Sequence, residues 1–269
     1  LAQPQGEPLA TEAPVAHWQA ATTARDGPAF LPPARGTVYG TLLNHRDALA
    51  ALGEQMNAAP YKAPPKAPVL YIKPRHCLAG HGAAVEVTAE AQALEVGAQL
   101  GIVIGREACR VREADALSFL AGYTICSDLS VPHASYYRPS LRCKARDGFL
   151  PLGPWILAAR HVADPDALQV VVQIDGREVQ RYGTAGMQRS VARLIAEVSG
   201  FMTLASSDLL MLGAGPAAPL ARVGQTVRIT TTTVFDDSLA GGLAALMAGT
   251  VVEVHALFDA ASGSYDATR

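Results

Sequence analysis

The densest chemistry in the chain lies between Tyr123 and Ile156. An apolar run, Ala121–Cys126, delivers a carboxylate at Asp128. A polar, aromatic and basic loop follows, with His133, Tyr136, Tyr137, Arg138 and Arg142, then Lys144, Arg146 and Asp147. A Gly- and Pro-punctuated apolar run, Gly148–Ile156, closes the stretch. The pattern is a strand end that presents an acid, then a loop of groups that bind anions, and such loops on a rigid scaffold are where function concentrates. Tyr137 and Arg138 offer a phenol and a guanidinium that can clamp a substrate carboxylate. His133, as a pocket group, would titrate near neutrality. An acid after an apolar run also serves as a turn or cap residue, and Arg and Lys clusters also form solvated faces, so composition leaves both readings open.

Other reactive side chains form no recognisable constellation. His76 and His81 lack metal-ligand spacing with any cysteine, and Cys77, Cys109, Cys126 and Cys143 contain no CxxC pair. The four read as reduced thiols of a cytoplasmic protein. There is no GxSxG, P-loop or dinucleotide-binding glycine signature.

The elements that must position the central stretch are mostly strands. Thr37–Leu43, Val69–Lys73, Val85–Thr88, Leu94–Ile104, Leu168–Ile174, Leu209–Leu212, Val227–Val234 and Ala248–Ala256 have strand composition, several with alternation. Asp175-Gly176 predicts a two-residue hairpin turn before Glu178–Arg181. Three helices are expected: Arg46–Gln55 capped by Asn44, Arg112–Ala121, and Ser190–Met202. The last has Val191, Leu194, Ile195 and Val198 at helical spacing. Many irregularly spaced strands with few helices predict a β-rich α+β fold, not a doubly wound sheet. Residues 1–35, rich in Ala and Pro, read as an N-terminal extension, with 36–269 as one domain.

The net charge of −2 over 269 residues gives no electrostatic footprint for nucleic acid or an anionic membrane. No apolar run approaches the roughly 20 residues that span a bilayer. The first residues show neither the basic nor the apolar segment of a secretory signal.

The segment TICSDLSVPHASYYRPSLRCKARDGFLPLGPWI resembles the fumarylacetoacetate hydrolase superfamily, within it the decarboxylase/isomerase branch of homoprotocatechuate (4-hydroxyphenylacetate) catabolism. The likeness extends from about Gly36 to Val254. It implies a mixed β-roll with short helices, usually dimeric. It further implies a divalent metal (Mg²⁺, Mn²⁺ or Ca²⁺) held by a Glu-x-Glu pair and an Asp, which stabilises an enolate made from a small 2-oxo or 2-hydroxy di- or tricarboxylate. By resemblance Asp128 is the remaining metal ligand and Lys144 the catalytic lysine that steadies developing charge; if the chain is an enzyme, Tyr137 or Arg138 is the clamp on the substrate carboxylate.

Other family positions are altered. The Glu-x-Glu pair falls on Gly97 and Gln99, a lid His/Glu pair falls on Ala48 and Ala51, and a Gly-Thr-Pro turn falls on Gly213-Ala214-Gly215. Glu95 shares the strand face of Gly97 but would need a slip or bulge to replace it. Two anionic ligands short, Asp128 and Gln99 form a poor cage for a hard dication. The pattern resembles the N-terminal half of fused, duplicated decarboxylase/isomerases. Two expectations follow: an enzyme acting on 5-oxopent-3-ene-1,2,5-tricarboxylate or 2-hydroxyhepta-2,4-diene-1,7-dioate, or a metal-free partner subunit of a catalytic paralogue. Its assembly would be a homodimer or a heteromer with that paralogue.

Overall fold

A computed structural model describes residues 31–87, 91–133, 141–232 and 251–260. Its strands are β1 (Val38–Leu42), β2 (Val69–Lys73), β3 (Leu78–Ala79), β4 (Ala83–Val87), β5 (Leu94–Ile104), β6 (Leu120–Ser130), β7 (Leu150–Ala158), β8 (Gln169–Ile174), β9 (Arg177–Gly183), β10 (Leu209–Met211), β11 (Leu220–Ala221), β12 (Thr226–Thr232) and β13 (Val251–Ala260). The helices are short: α1 (Arg46–Ala50), α2 (Leu141–Lys144) and α3 (Val191–Ser199).

One mixed sheet runs in the order β2-β1-β10-β5-β6-β7-β3, with β11 pairing β5; the other runs β4-β13-β12-β8-β9. Strands β8, β12 and β13 pack against β5, β6 and β7. The two long central strands, β5 and β6, are therefore covered by the second sheet on one face, and on the other Val103 and Cys126 are buried in a second cluster. Leu94, Val96, Ala98, Leu100 and Ile102 are all buried, as are Ile125 and Leu129 on β6. Continuous apolar runs are what such doubly covered strands need. This is the strand-rich, curled architecture with few short helices that the sequence predicts. Among the described residues no helix is long and apolar enough to cross a membrane.

Local expectations fare unevenly. Asp175 and Gly176 adopt φ of +51° and +77°, the two left-handed residues of a type I′ turn joining β8 to β9. Ser190 caps α3, its Oγ accepting from the Arg193 N–H, and Val191, Leu194, Ile195 and Val198 are buried. The expected helix at Arg112–Ala121 is instead a 3-10 turn over Glu113–Phe119, with Leu120 already in β6. Pairing of Leu120 and the residues after it with β5 outweighs their helical propensity. The Arg46–Gln55 helix divides into α1 and a 3-10 turn at Gly53–Met56, with Gly53 at a φ of +47°. Asn44 is not its cap. His45 takes that role, its Nδ1 accepting from Asp47 N–H, while Asn44 donates to the carbonyls of Arg189 and Leu212.

Candidate functional site

Strand register builds one wall of a cavity of about 300 Å³. On β5, Glu95, Gly97 and Gln99 share a face by the period of two, and on β6 Asp128 and Ser130 do the same. All five line the cavity. The ladder pairs Glu95 with Ser130, Gly97 with Asp128 and Gln99 with Cys126 without interruption until Val103. No bulge moves Glu95 into the place of Gly97. Ser130 instead donates its hydroxyl to Glu95 Oε2 at 3.0 Å. The opposite wall comes from the end of β1, from Ala48, Ala51 and Leu52, and from the loop after Gly213.

Asp128 sits at the floor, 4% exposed. Lys73 Nζ lies 2.7 Å from its Oδ1. Oδ2 receives the Tyr71 hydroxyl, the Lys144 ammonium at 3.1 Å and a long contact from Gln99 Nε2 at 3.5 Å. Lys73 is itself fully enclosed and donates to the carbonyls of Leu129, Lys144 and Phe149 at 2.9, 2.6 and 3.0 Å. Three acceptors need three N–H groups, so Lys73 is an ammonium although burial draws its pKa down. Burial alone would raise the Asp128 pKa. The charges of Lys144 and Lys73, with the hydrogen bond from Tyr71, outweigh it and hold the carboxyl at about 2. Burial and the neighbouring carboxylate push the Tyr71 phenol well above its usual range.

Glycine makes this packing possible. A Cβ at Gly40 would lie 2.0 Å from the Tyr71 ring, so only glycine leaves the ring its seat beside Asp128. A Cβ at Gly97 would lie 2.7 Å from the Asp128 carbonyl oxygen, so any side chain there requires β5 and β6 to shift.

Gln99 removes a negative charge from this wall. Its Oε1 accepts from the Gly213 N–H at 2.8 Å, which turns its amide nitrogen toward Asp128. A glutamate in that pose would set two carboxylate oxygens against each other, a conflict a metal ion relieves. Glutamine removes the conflict, and two ammonium groups occupy the coordination space of the remaining carboxylate. Among the described residues no group of three His, Cys, Asp or Glu side chains is placed to hold a metal. The donor set does not fit a hard dication.

Asp128 and Lys144 are thus brought together, and the altered positions Gly97, Gln99, Ala48, Ala51, Ala214 and Gly215 all face the same cavity. His133 lines it as well, its Nδ1 2.9 Å from the Val131 carbonyl. Tyr137 and Arg138 lie outside the described residues. No disulfide joins the cysteines. Sequence reasoning missed Tyr71 and Lys73, although a signal existed: in Val69-Leu-Tyr-Ile-Lys73 the cation falls two residues after the tyrosine, hence on one face of a strand that Pro74 ends.

Residues 37–257 match the family model of the fumarylacetoacetate (FAA) hydrolase C-terminal domain. The chain is 37% identical over 195 residues to the 4-hydroxyphenylacetate degradation bifunctional isomerase/decarboxylase of Escherichia coli, a match covering 72% of this chain and 44% of that protein. The chain spans about half the length of the curated relatives it matches. A 5-carboxymethyl-2-hydroxymuconate delta-isomerase from Mycobacterium smegmatis superposes with a TM-score of 0.66 at 24% identity, over 94% of this chain and 86% of that one. A maleylpyruvate hydrolase from Sphingobium sp. SYK-6, in complex with manganese(II) ion and pyruvate, superposes with a TM-score of 0.62 at 22% identity, over 86% and 73%.

Proposed function

The chain belongs to the fumarylacetoacetate hydrolase family, and from that premise we propose that it serves the isomerase/decarboxylase reactions of 4-hydroxyphenylacetate catabolism. Its substrates are 5-oxopent-3-ene-1,2,5-tricarboxylate or the 2-hydroxyhepta-2,4-diene-1,7-dioate formed from it. In the first reaction the electrons of the breaking C–C bond stay on the substrate as a dienolate while CO2 leaves. In the second a proton moves between carbon and oxygen through the same kind of anion. A fixed positive charge beside the enolate oxygen lowers both barriers, and one well-placed donor in a dry site is worth about 10²–10³ in rate.

The observation that carries this reading is Lys144. Its ammonium is anchored by Asp128 and lines the cavity, so the chain's own side chain supplies the charge. Tyr71 and Lys73 hold Asp128, and Asp128 holds Lys144. The test is turnover by the purified chain alone in the presence of EDTA, followed as loss of the tricarboxylate's ultraviolet absorbance and compared with Lys144→Met. Absence of turnover by the wild type in EDTA refutes metal-free catalysis, and its absence with added Mg²⁺ or Mn²⁺ as well refutes catalysis by this chain.

A second reading is favoured by the sequestered state of Asp128. With its carboxylate bound to two ammonium groups, the chain can act as a metal-free partner that scaffolds a catalytic paralogue. Turnover that appears only after co-expression with a paralogue bearing the Glu-x-Glu pair would select this reading.

A further inference from the structure

We propose that the cavity floor is an anion receptor, in which the Lys144 ammonium takes the carboxylate of a small 2-oxo acid directly, with no dication. The choice of a 2-oxo acid rests on the function proposed above; the sign of the site rests on geometry alone. Asp128 contributes one negative charge, and Lys73 and Lys144 contribute two positive charges within 3.1 Å of it. These three floor groups therefore sum to one positive charge, with Glu95 on the wall above as the countercharge, whereas a site awaiting a metal ion is net negative at its floor.

The two lysines differ in what they have left to give. Lys73 has spent all three N–H groups on carbonyls and is sealed from the cavity. Lys144 gives one hydrogen bond to Asp128, and its ammonium stands 4.9 Å from the centre of the Tyr71 ring. Two of its N–H directions have no partner among the described residues, although the residue is only 9% exposed and lines the cavity. A buried ammonium with unused donors is costly to leave dry, and a carboxylate both satisfies it and neutralises the surplus charge. The cavity of about 300 Å³ lies at the small end of ligand sites. Glu95, held by Ser130, is the other charged group on this wall, so a bound acid points its carboxylate at Lys144 and away from Glu95.

The experiment is calorimetric titration of the full chain with sodium pyruvate in EDTA at low ionic strength. Binding is expected in EDTA, changed less than about twofold by added Mn²⁺. Lys144→Met should weaken it at least tenfold, Lys144→Arg should keep it within about fivefold, and Glu95→Gln should not weaken it. If Lys144→Met fails to fold, the Mn²⁺ comparison and the other two variants decide. No binding in EDTA, binding that requires Mn²⁺, or binding lost in Glu95→Gln would each overturn the proposal. Pyruvate binding in EDTA without turnover of the tricarboxylate there supports the receptor and refutes metal-free catalysis by this chain. Turnover in EDTA without pyruvate binding refutes the receptor and leaves the catalytic reading standing.

Discussion

Lys73 Nζ lies 2.7 Å from Asp128 Oδ1, yet its three hydrogen bonds go to the carbonyls of Leu129, Lys144 and Phe149. Asp128 Oδ1 thus receives charge from Lys73 without an aligned donor. The lysine ties the end of β6 to the α2 segment and to the start of β7 while neutralising the acid they surround. It is a structural cation that also balances the buried acid.

Removing that cation should be severe. Lys73→Met leaves three carbonyls without their donor and removes one of the two charges balancing a buried acid. A loss of about 3–5 kcal/mol in urea unfolding is expected, the range for breaking a buried pair. A loss under about 1 kcal/mol would mean the ammonium is not the tie described.

The acid limb of stability should report Asp128. Its folded pKa of about 2 lies below the ordinary value of 3.8, so its stabilisation is complete above the ordinary value and disappears as pH falls through the folded one. The difference corresponds to about 2 kcal/mol. Between pH 4 and 2 the wild type should lose that much more stability than Asp128→Asn, measured by denaturant unfolding at each pH. Parallel curves would show that Asp128 is not held ionised by its neighbours.

Tyr71 should matter through its hydroxyl. Tyr71→Phe removes a hydrogen bond to a buried carboxylate, costing about 1.5–3 kcal/mol, and should raise the Asp128 pKa. Gly40→Ala should reproduce much of that loss by displacing the ring, because its Cβ would sit 2.0 Å from the Tyr71 ring. Unfolding curves of both variants check the pair, and an unperturbed Gly40→Ala would contradict the packing.

Gln99→Glu should restore the charge conflict that glutamine avoids. A stability loss of about 1–3 kcal/mol is expected, growing as pH rises through the carboxylate range, since the cost exists only when the new acid is ionised. A pH-independent change in unfolding free energy would show that charge is not the cause.

Much of this was legible in the sequence, for a physical reason. β5 is long, β-branched and apolar, so its extent follows from composition, whereas composition marks β6 only as the run Ala121–Cys126 ending at Asp128, and the strand in fact continues to Ser130. Gly97 and Gln99 fall opposite and beside Asp128 because an antiparallel ladder has a fixed register. The helices were read less well. Leu120 has helical neighbours but pairs with Ile104, and Gly53 breaks a helix that local propensity would extend. Lys73 stayed hidden because its role depends on carbonyls contributed by residues 56 to 76 positions away, which no local pattern announces.

Counting Mn²⁺ bound per chain tests the central idea most directly, with free ion read by electron paramagnetic resonance in wild type and Asp128→Asn. Two ammonium groups in place of a cation predict no bound Mn²⁺ that depends on Asp128, hence superimposable titrations. One Mn²⁺ per wild-type chain, lost in Asp128→Asn, would contradict the account.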